Sequence, residues 1–380
     1  MTNITSSAGK DLFLSPEPSN SRRMSRHSAG SSGCSVPRSS VSSCSFDSPS
    51  STRACRVTAS IPPSPFMQKL GCGTGVSVYL FQRGSDGTGL SPWAVKRTSA
   101  RTQQANCAGN IPNSIENMLA KEARILKGLK HENIVGFRAF SRSEDGKLCL
   151  SMENGEKSLL DIIELRDEEG CGPFSASEMY EVALGLAKAL RYLHSEKHLL
   201  HGDLKSGNVL VGGDFDSVKL CDFGVSLKLK KDLTGLEDSD EHYVGTEPWS
   251  APEVINEEGP ITDKADIFSY GLVLWEMMSL TIPHLECLGG NNSYTDESSI
   301  DESFQEAQYQ AALGTRPPLP DFTLGTQYNP LISLFWACTE ENPARRPSAN
   351  LVVDALESIS ISCDSESSMD KENIPMDENL

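Results

Sequence analysis

Long apolar runs are absent from this sequence of 380 residues. A helix that spans a bilayer needs about 18 or more consecutive apolar residues, and the sequence contains no such run. Basic residues are also scarce, because 34 Lys and Arg stand against 52 Asp and Glu, for a formal net charge of −18. An acidic chain is poorly suited to the phosphates of nucleic acid or to an anionic membrane surface. We therefore expect neither nucleic acid nor a membrane as a main partner.

Paired cysteine motifs are missing as well. The 11 cysteines stand at irregular spacings with no Cys-x-x-Cys pair, and we recognise no secretory signal segment. An odd number of scattered cysteines is typical of a reducing compartment. The sequence thus predicts reduced thiols and a location in the cytoplasm and the nucleus.

Composition divides the chain into three parts. Residues 1–60 contain 19 serines and few apolar residues, too few to offset the entropy cost of ordering, so we predict a disordered Ser-rich tail. Residues 359–380 are acidic and Ser-rich, and we predict a second disordered tail there. The apolar pattern lies between them and predicts a domain over 66–358, with a small lobe over 66–153 and a large lobe over 154–358.

Within this domain the predicted strands come before most of the predicted helices. SVYLFQ (77–82) and SPWAVKR (91–97) alternate in the manner of short strands. Asn113 with Glu116, and Ser175 with Glu178, have the spacing of a capping box at a helix start. A β-rich small lobe followed by an α-rich large lobe is an α+β arrangement.

A glycine-rich stretch, LGCGTGVSV (70–78), opens the first predicted hairpin. Glycine lets backbone N–H groups approach phosphates closely, because no Cβ intervenes. The stretch fits G-x-G-x-x-G-x-V except at Val76, where the third glycine is expected. The predicted nucleotide-binding residues here are Leu70, Gly71, Cys72, Gly73, Thr74, Gly75, Val76, Ser77 and Val78.

Further nucleotide-binding candidates follow along the chain. Lys96, in WAVK, would bind the α- and β-phosphates if Glu122, in KEARIL, holds it in place. A solvated surface charge is the ordinary alternative for either residue. Met152 is predicted to line an adenine pocket beside the hinge residues Glu153 and Asn154, with plain core packing as its alternative.

The octet HGDLKSGN (201–208) supplies the candidate catalytic residues. Asp203 would accept the proton of an attacking hydroxyl, and Lys205 would neutralise charge on the transferred phosphoryl group. Asn208, together with Asp222 in CDFG, would bind Mg²⁺ through hard oxygen atoms. The usual pattern is H-R-D-L-x-x-x-N, and Gly202 stands in the place of its arginine.

Three more residues are predicted to have scaffold roles. Glu253, in SAPE, and Arg346, in ARRPSA, would form a buried ion pair in the large lobe. Asp266, in ADIFSYGLVLWEM, would begin a buried helix and tie down the catalytic loop.

With these motifs in one fixed order, the chain resembles the eukaryotic protein kinases over about 66–358, and more narrowly those related to the MAP kinase kinases. The resemblance implies a two-lobed kinase fold, ATP and Mg²⁺ as cofactors, and protein substrates phosphorylated on Ser or Thr, with Tyr as a further acceptor. It also implies activity in dividing cells. In many kinases the arginine missing here pairs with an activation-loop phosphate, so Gly202 removes a regulatory contact and keeps the base.

Two other functions stay open at this point. A pseudokinase scaffold would bind partners without turnover, and a regulatory phosphoprotein would act mainly through its tails. Intact Lys96, Asp203, Asn208 and Asp222 favour the active enzyme. Cys72 and Cys221 would lie near ATP, where small gap-filling residues are the simpler interpretation and a redox role the other.

The tails carry the predicted partner sites. Ser15, Ser48 and Ser64 each precede a proline and are candidate sites for a proline-directed mitotic kinase. Lys371-Glu372-Asn373 resembles a degradation signal read by a ubiquitin ligase, although a three-residue match also arises by chance. The resemblance further implies a PDZ domain as a C-terminal partner, yet the chain ends in Glu378-Asn379-Leu380 and not in Thr-x-Val.

Overall fold

The structure is a computed structural model that describes residues 67–73, 76–81, 91–98, 112–288 and 302–369. Thr74 and Gly75 lie outside these residues, and so does the predicted tail over 1–60. The predicted modification, degradation and PDZ-binding sites in the two tails also lie outside them.

A five-stranded antiparallel sheet forms the small lobe. Its strands are β1 (Met67–Gly73), β2 (Val76–Phe81), β3 (Trp93–Thr98), β4 (Phe137–Arg142) and β5 (Leu148–Glu153). They lie in the order β1–β2–β3–β5–β4. Helix α1 (Pro112–Gly128) packs against β4 and β5, and it buries Leu119, Ala123 and Leu126 at helical spacing. The small lobe therefore carries both Lys96, on β3, and Glu122, on α1.

The start of α1 differs from the sequence prediction. The helix begins at Pro112, so Asn113 is its second residue and is not the N-cap that its spacing with Glu116 suggested. Proline suits the first turn of a helix because its missing N–H would have no partner there. The Glu116 carboxylate instead accepts a hydrogen bond from Arg142 of β4 at 3.0 Å.

Helices dominate the large lobe. They are α2 (Leu159–Glu168), α3 (Ala176–Arg191), α4 (Pro252–Ile255), α5 (Lys264–Ser279), α6 (Glu302–Ala312), α7 (Asn329–Cys338) and α8 (Ala349–Met369). Ser175 and Glu178 form the predicted capping box at the start of α3. Short strands complete the lobe: β6 (Lys157–Ser158), β7 (Leu199–Leu200), β8 (Val209–Gly212), β9 (Ser217–Leu220) and β10 (Leu227–Lys228). The predicted α+β arrangement, with a β-rich lobe before an α-rich lobe, is confirmed.

Helix α5 is the buried centre of the large lobe. Every residue from Ala265 to Met278 is buried, as expected of a helix that is apolar on nearly every side. Two of these residues are acids, Asp266 and Glu276, and each accepts hydrogen bonds from the catalytic loop (201–208). A buried carboxylate requires such partners, so α5 and the catalytic loop fix each other's position.

The predicted ion pair between Glu253 and Arg346 is confirmed. Arg346 donates from Nη1 to Oε1 of Glu253 at 2.7 Å and from Nη2 to Oε2 at 2.8 Å. Both side chains are buried, and Arg346 also donates to three backbone carbonyls. A two-pronged contact of this kind fixes the short helix α4 to the segment that precedes α8.

Helix α8 continues to Met369, past residue 358, where the sequence places the end of the domain. Val352, Val353 and Leu356 are buried, and α8 packs against α3. A helix anchored in this way can extend with one added hydrogen bond per residue, and α8 thus overlaps the first part of the predicted tail over 359–380. None of the helices that the structure describes is long and apolar enough to cross a membrane.

Candidate active site

Lys96 is the centre of a charged cluster. Its Nζ donates to Oε2 of Glu122 at 2.9 Å and to Oδ1 of Asp222 at 2.8 Å. The contact between Lys96 and Glu122 is the one that the sequence predicts, and Glu122 is only 2% exposed. Asp222 balances the charge of Lys96, and the ionised fraction of Glu122 adds negative charge to the cluster. The site is therefore electrostatically suited to a further cation.

The pKa values in this cluster reflect the balance of burial and charge. Burial alone lowers the pKa of Lys96, but the charges of Asp222 and Glu122 outweigh it and raise that pKa above its ordinary value. Burial and the charge of Asp222 raise the pKa of Glu122 to about 7, although Lys96 acts in the opposite direction. Burial also opposes ionisation of Asp222, yet Lys96 holds the pKa of Asp222 below its ordinary value. Lys96 and Asp222 are thus both charged near neutral pH.

Asp203 is held by three side chains. Asn208 donates from Nδ2 to Oδ2 of Asp203 at 2.9 Å and to its backbone oxygen at 2.7 Å. Lys205 lies 3.0 Å from Oδ2, and the Thr246 hydroxyl donates to Oδ1 at 2.6 Å. Lys205 also donates to the Thr246 hydroxyl oxygen at 2.6 Å. Thr246 thereby completes a closed set of contacts around the predicted base.

Thr246 was not among the residues that sequence reasoning selected. It lies in YVGTEPW, and a threonine after a glycine has no chemical signature by itself. Its contact to Asp203 spans 43 positions of the chain, so only the fold brings the two together.

The backbone of the catalytic loop is fixed by Asp266. Oδ2 of Asp266 accepts the N–H of His201 at 2.8 Å and lies 2.8 Å from Nε2 of His194, while Oδ1 accepts the N–H of Gly202 at 2.9 Å. Burial opposes the charge of Asp266, but these contacts keep its pKa below the ordinary value. The role predicted for Asp266, that of tying down the loop, agrees with this geometry.

Glu276 provides a second attachment of the loop to α5. Its carboxylate accepts hydrogen bonds from the hydroxyl and the N–H of Ser206, and from Nε1 of Trp249 at 2.8 Å. Burial raises the pKa of Glu276 to about 7. This carboxyl group therefore changes charge near neutral pH.

A cavity of about 500 Å³ lies beside the Lys96 cluster. Several predicted nucleotide-binding and metal-binding residues line it: Leu70, Val78, Lys96, Glu122, Met152, Asn154, Asn208 and Asp222. Ala94 and Leu210 line it as well, and sequence reasoning missed both. Ala94 had a usable signal, because it lies two residues before Lys96 on the same strand and so on the same face.

The side chain of Glu153 does not face this cavity. Its carboxylate accepts the N–H of Gly136 at 3.2 Å and lies 3.3 Å from Nζ of Lys219 and 3.8 Å from Arg138. Side chains alternate along a strand, so Glu153 points away from the face that Met152 occupies. The glycine-rich residues Gly71, Cys72 and Gly73 belong to β1, and the structure does not describe their side chains.

The predicted magnesium ligands fit the donor chemistry of that ion. Nδ2 of Asn208 is engaged with Asp203, which leaves the amide oxygen of Asn208 as the free ligand atom. Asp222 uses Oδ1 for Lys96 and for the N–H of Gly224, and its side chain is 41% exposed. Mg²⁺ typically takes one or two such oxygens from a protein and the remainder from phosphates and water. Asn208 and Asp222 would hold it there.

Cys221 lies in the same cavity. Burial raises the pKa of the Cys221 thiol well above its ordinary value, so the nucleophilic thiolate is disfavoured. The gap-filling interpretation of Cys221 is therefore better supported than a redox role.

The comparisons with known proteins agree with this geometry. The family model described as "Protein kinase domain" matches residues 65–356, and the chain belongs to the protein kinase family. It is 50% identical over 302 residues to the human lymphokine-activated killer T-cell-originated protein kinase, across 79% of this chain and 91% of that protein.

More distant relatives match over a smaller share of their length. Mitogen-activated protein kinase kinase kinase 12 of Rattus norvegicus is 33% identical over 171 residues, 45% of this chain and 18% of that protein. Serine/threonine-protein kinase STY17 of Arabidopsis thaliana is 30% identical over 240 residues, 62% of this chain and 36% of that protein. The chain is thus a protein kinase that is similar to kinases of the mitogen-activated cascade.

Proposed function

We propose that this kinase transfers the γ-phosphate of ATP, with Mg²⁺, to Ser and Thr hydroxyls of protein substrates, with Tyr hydroxyls as a further acceptor class. The observation that supports this best is the position of Asp203, which Asn208, Lys205 and Thr246 hold in one orientation. The positive charge of Lys96, fixed between Glu122 and Asp222, faces the same cavity. Phosphoryl transfer depends mainly on such positioning and charge neutralisation.

Each residue has one task in the proposed reaction. The carboxylate of Asp203 accepts the proton of the acceptor hydroxyl, and Lys205 places positive charge where negative charge develops on the phosphoryl oxygens. Lys96 orients the α- and β-phosphates, and Glu122 prevents Lys96 from turning away. When bound, Mg²⁺ supplies charge neutralisation between the phosphates, and Asn208 and Asp222 supply its protein ligands.

A scaffold without turnover has less support. Such a protein has no need of a base held by three side chains or of a lysine held by two carboxylates, and this chain has both. The relatives named above are all called kinases. The same reasoning disfavours a phosphoprotein that acts through its tails alone.

The experiment is phosphate incorporation from labelled ATP into a basic protein such as myelin basic protein. We expect transfer by the full-length chain and its loss in Asp203→Ala. Asp167→Ala is the matched control, because Asp167 is an exposed acid at the end of α2. Equal transfer by Asp203→Ala and the wild type would refute the proposed base, and absence of transfer by the wild type would refute the proposed activity.

Acidic residues on both sides of Thr246 in the sequence favour substrates with basic flanking residues. The stretch before Thr246 contains Glu237, Asp238, Asp240 and Glu241, and Glu247 follows it. Exposed acids of this kind attract Lys and Arg at moderate ionic strength. A peptide-library screen would test the preference, and equal rates for acidic and basic flanks would remove it.

The proposed cellular context is mitotic or proliferative signalling in the cytoplasm and nucleus. In this context a proline-directed mitotic kinase phosphorylates Ser15, Ser48 or Ser64, and phosphopeptide mapping from mitotic cells tests each site. The half-life of the protein at mitotic exit, with and without Ala at residues 371–373, tests the degradation signal. Binding of the C-terminal peptide to PDZ domains tests the last partner, and imaging of the tagged protein tests its location.

A further inference from the structure

Tyr243 belongs to the activation segment (residues 222–253), and its side chain points inward next to the catalytic loop. Its neighbours on both sides are exposed, with Val244 at 64%, whereas Tyr243 is half-buried. Its ring lies against two glycines. A Cβ on Gly245 would collide with the ring and lie 2.8 Å from the phenol oxygen, and a Cβ on Gly202 would lie 3.9 Å from the ring. Gly245 therefore leaves room for the tyrosine because it carries no side chain, whereas a Cβ on Gly202 would only touch the ring at ordinary van der Waals distance.

The phenol of Tyr243 reaches the support of the catalytic loop. The phenol lies close to the side chains of Ser250 and Ser269, and Ser269 belongs to α5. Helix α5 also carries Asp266, which holds the N–H groups of His201 and Gly202. Tyr243 and the catalytic loop thus lie beside the same helix, and Asp266 is the residue of that helix that holds the loop.

The surroundings of the phenol favour its neutral, unmodified form. Burial and the nearby charges of Asp266 and Asp203 raise the pKa of Tyr243 above its ordinary value. Gly202 supplies no cation there, and Lys205 is already engaged with Asp203 and Thr246. A phosphate on Tyr243 would add negative charge beside Asp266 and Asp203, which disfavours the phosphorylated side chain in this place.

We propose that unphosphorylated Tyr243 is a positioning residue, which fixes the activation segment against the catalytic loop where the arginine-to-phosphate contact of other kinases is lacking. This inference rests on the proposed phosphotransfer. Thr246, which binds Asp203, lies three residues after Tyr243 in the same segment. Loss of the Tyr243 contacts would therefore loosen the hydrogen bond that orients the base.

The test compares Tyr243→Phe and Tyr243→Ala with the wild type in steady-state kinetics on a basic peptide. Tyr180→Phe is the matched control, because it removes one phenol hydrogen bond, to the backbone oxygen of Leu356, where α3 packs against α8. We expect Tyr243→Phe to lower kcat about 3- to 10-fold, because it removes the polar group that lies beside Ser250 and Ser269. We expect a larger fall in Tyr243→Ala, since it also loses the ring contacts, and little change in Tyr180→Phe.

Two further readouts distinguish positioning from general destabilisation. The KM for ATP should stay the same, because Tyr243 does not line the nucleotide cavity. Amide hydrogen exchange over residues 238–246 should become faster in Tyr243→Ala and partly so in Tyr243→Phe. If Tyr243→Ala fails to fold, the kcat and the hydrogen exchange of Tyr243→Phe alone test the inference.

The outcomes that overturn the inference are distinct from failure of the proposed function. Unchanged kcat in both Tyr243 variants, or a fall in kcat with unchanged hydrogen exchange, would contradict positioning by Tyr243 and leave the kinase activity in place. Higher activity of a fraction phosphorylated on Tyr243 would contradict it as well. An inactive wild type would refute the proposed phosphotransfer, and the inference with it.

Discussion

The backbone N–H of Gly202 donates to Oδ1 of Asp266 at 2.9 Å, from a residue with φ of +78°. This backbone conformation is unfavourable for residues with a Cβ. Gly202 is also where the sequence lacks the arginine of the usual catalytic loop. The loop is therefore attached to α5 through its backbone, although it lacks the arginine side chain that would pair with a phosphate.

Gly202→Ala should destabilise the protein by about 1–2 kcal/mol, since alanine is strained at positive φ. Its Cβ would also lie 3.4 Å from the backbone oxygen of Val225. Gly128→Ala is the control, because nothing lies within 4 Å of its Cβ, and we expect no loss there. Urea unfolding measures both, and a Gly202→Ala variant as stable as Gly128→Ala would contradict the strain argument.

Glu276 should make the stability of the protein depend on pH. Its folded-state pKa of about 7 lies above the ordinary value of 4.5. A raised carboxyl pKa means that the folded state retains the proton longer. This contribution to stability is therefore complete below about pH 4.5 and is lost as pH rises through about 7. Thermal unfolding from pH 5 to 8 should show a fall of roughly 5 °C from this group.

Glu276→Gln provides the comparison for this pH effect, because an amide cannot ionise. Its melting temperature should fall less over the same pH range than that of the wild type. Parallel curves for the two proteins would show that Glu276 does not titrate there.

Arg346→Ala should lower the free energy of unfolding by about 3–5 kcal/mol, because it leaves the Glu253 carboxylate buried without its partner. Lys228→Ala, which breaks an exposed pair with Glu237, should cost less than about 1 kcal/mol. Urea unfolding at one pH compares the two variants. Similar losses in both would argue against a structural role for the buried pair.

Thr234→Ala and Ser239→Ala should change kinase activity less than about 3-fold. Thr234 donates only to Asp232 at 2.8 Å in an exposed turn, and Gly202 offers no charge-assisted bond to a phosphate. Steady-state rates on one peptide substrate provide the measurement. A loss of about 100-fold would imply another basic site, and the cavity lined by Lys121, Arg124 and Lys228 is the place to examine.

The sequence predicted the residues whose roles come from fixed motifs. Lys96 contacts Glu122 as expected, and Asp266 holds the catalytic loop. Both contacts could be predicted because the order and spacing of the motifs indicate the fold that brings these residues together. Thr246 and Tyr243 were not predicted to contact the catalytic loop. Their contacts depend on the path of the activation segment, which has no periodic pattern to reveal which side chains point inward.

Other differences concern local geometry. Glu153 was grouped with Met152 and Asn154 by position along the chain, but strand alternation turns it toward Lys219 and away from the cavity. The start of α1 was also misplaced, because capping spacing predicts the ends of helices only within a few residues.

The central claim is that Asp203 accepts the proton of the acceptor hydroxyl in a site that binds ATP independently of it. The most direct test is single-turnover phosphate transfer by Asp203→Asn, alongside ATP binding by the same variant. Asparagine keeps the size of the side chain and removes its basicity. We expect ATP affinity within about 3-fold of the wild type and transfer slower by about 100- to 10,000-fold. Transfer at a near-normal rate, with ATP affinity unchanged, would contradict the assignment of Asp203 as the base.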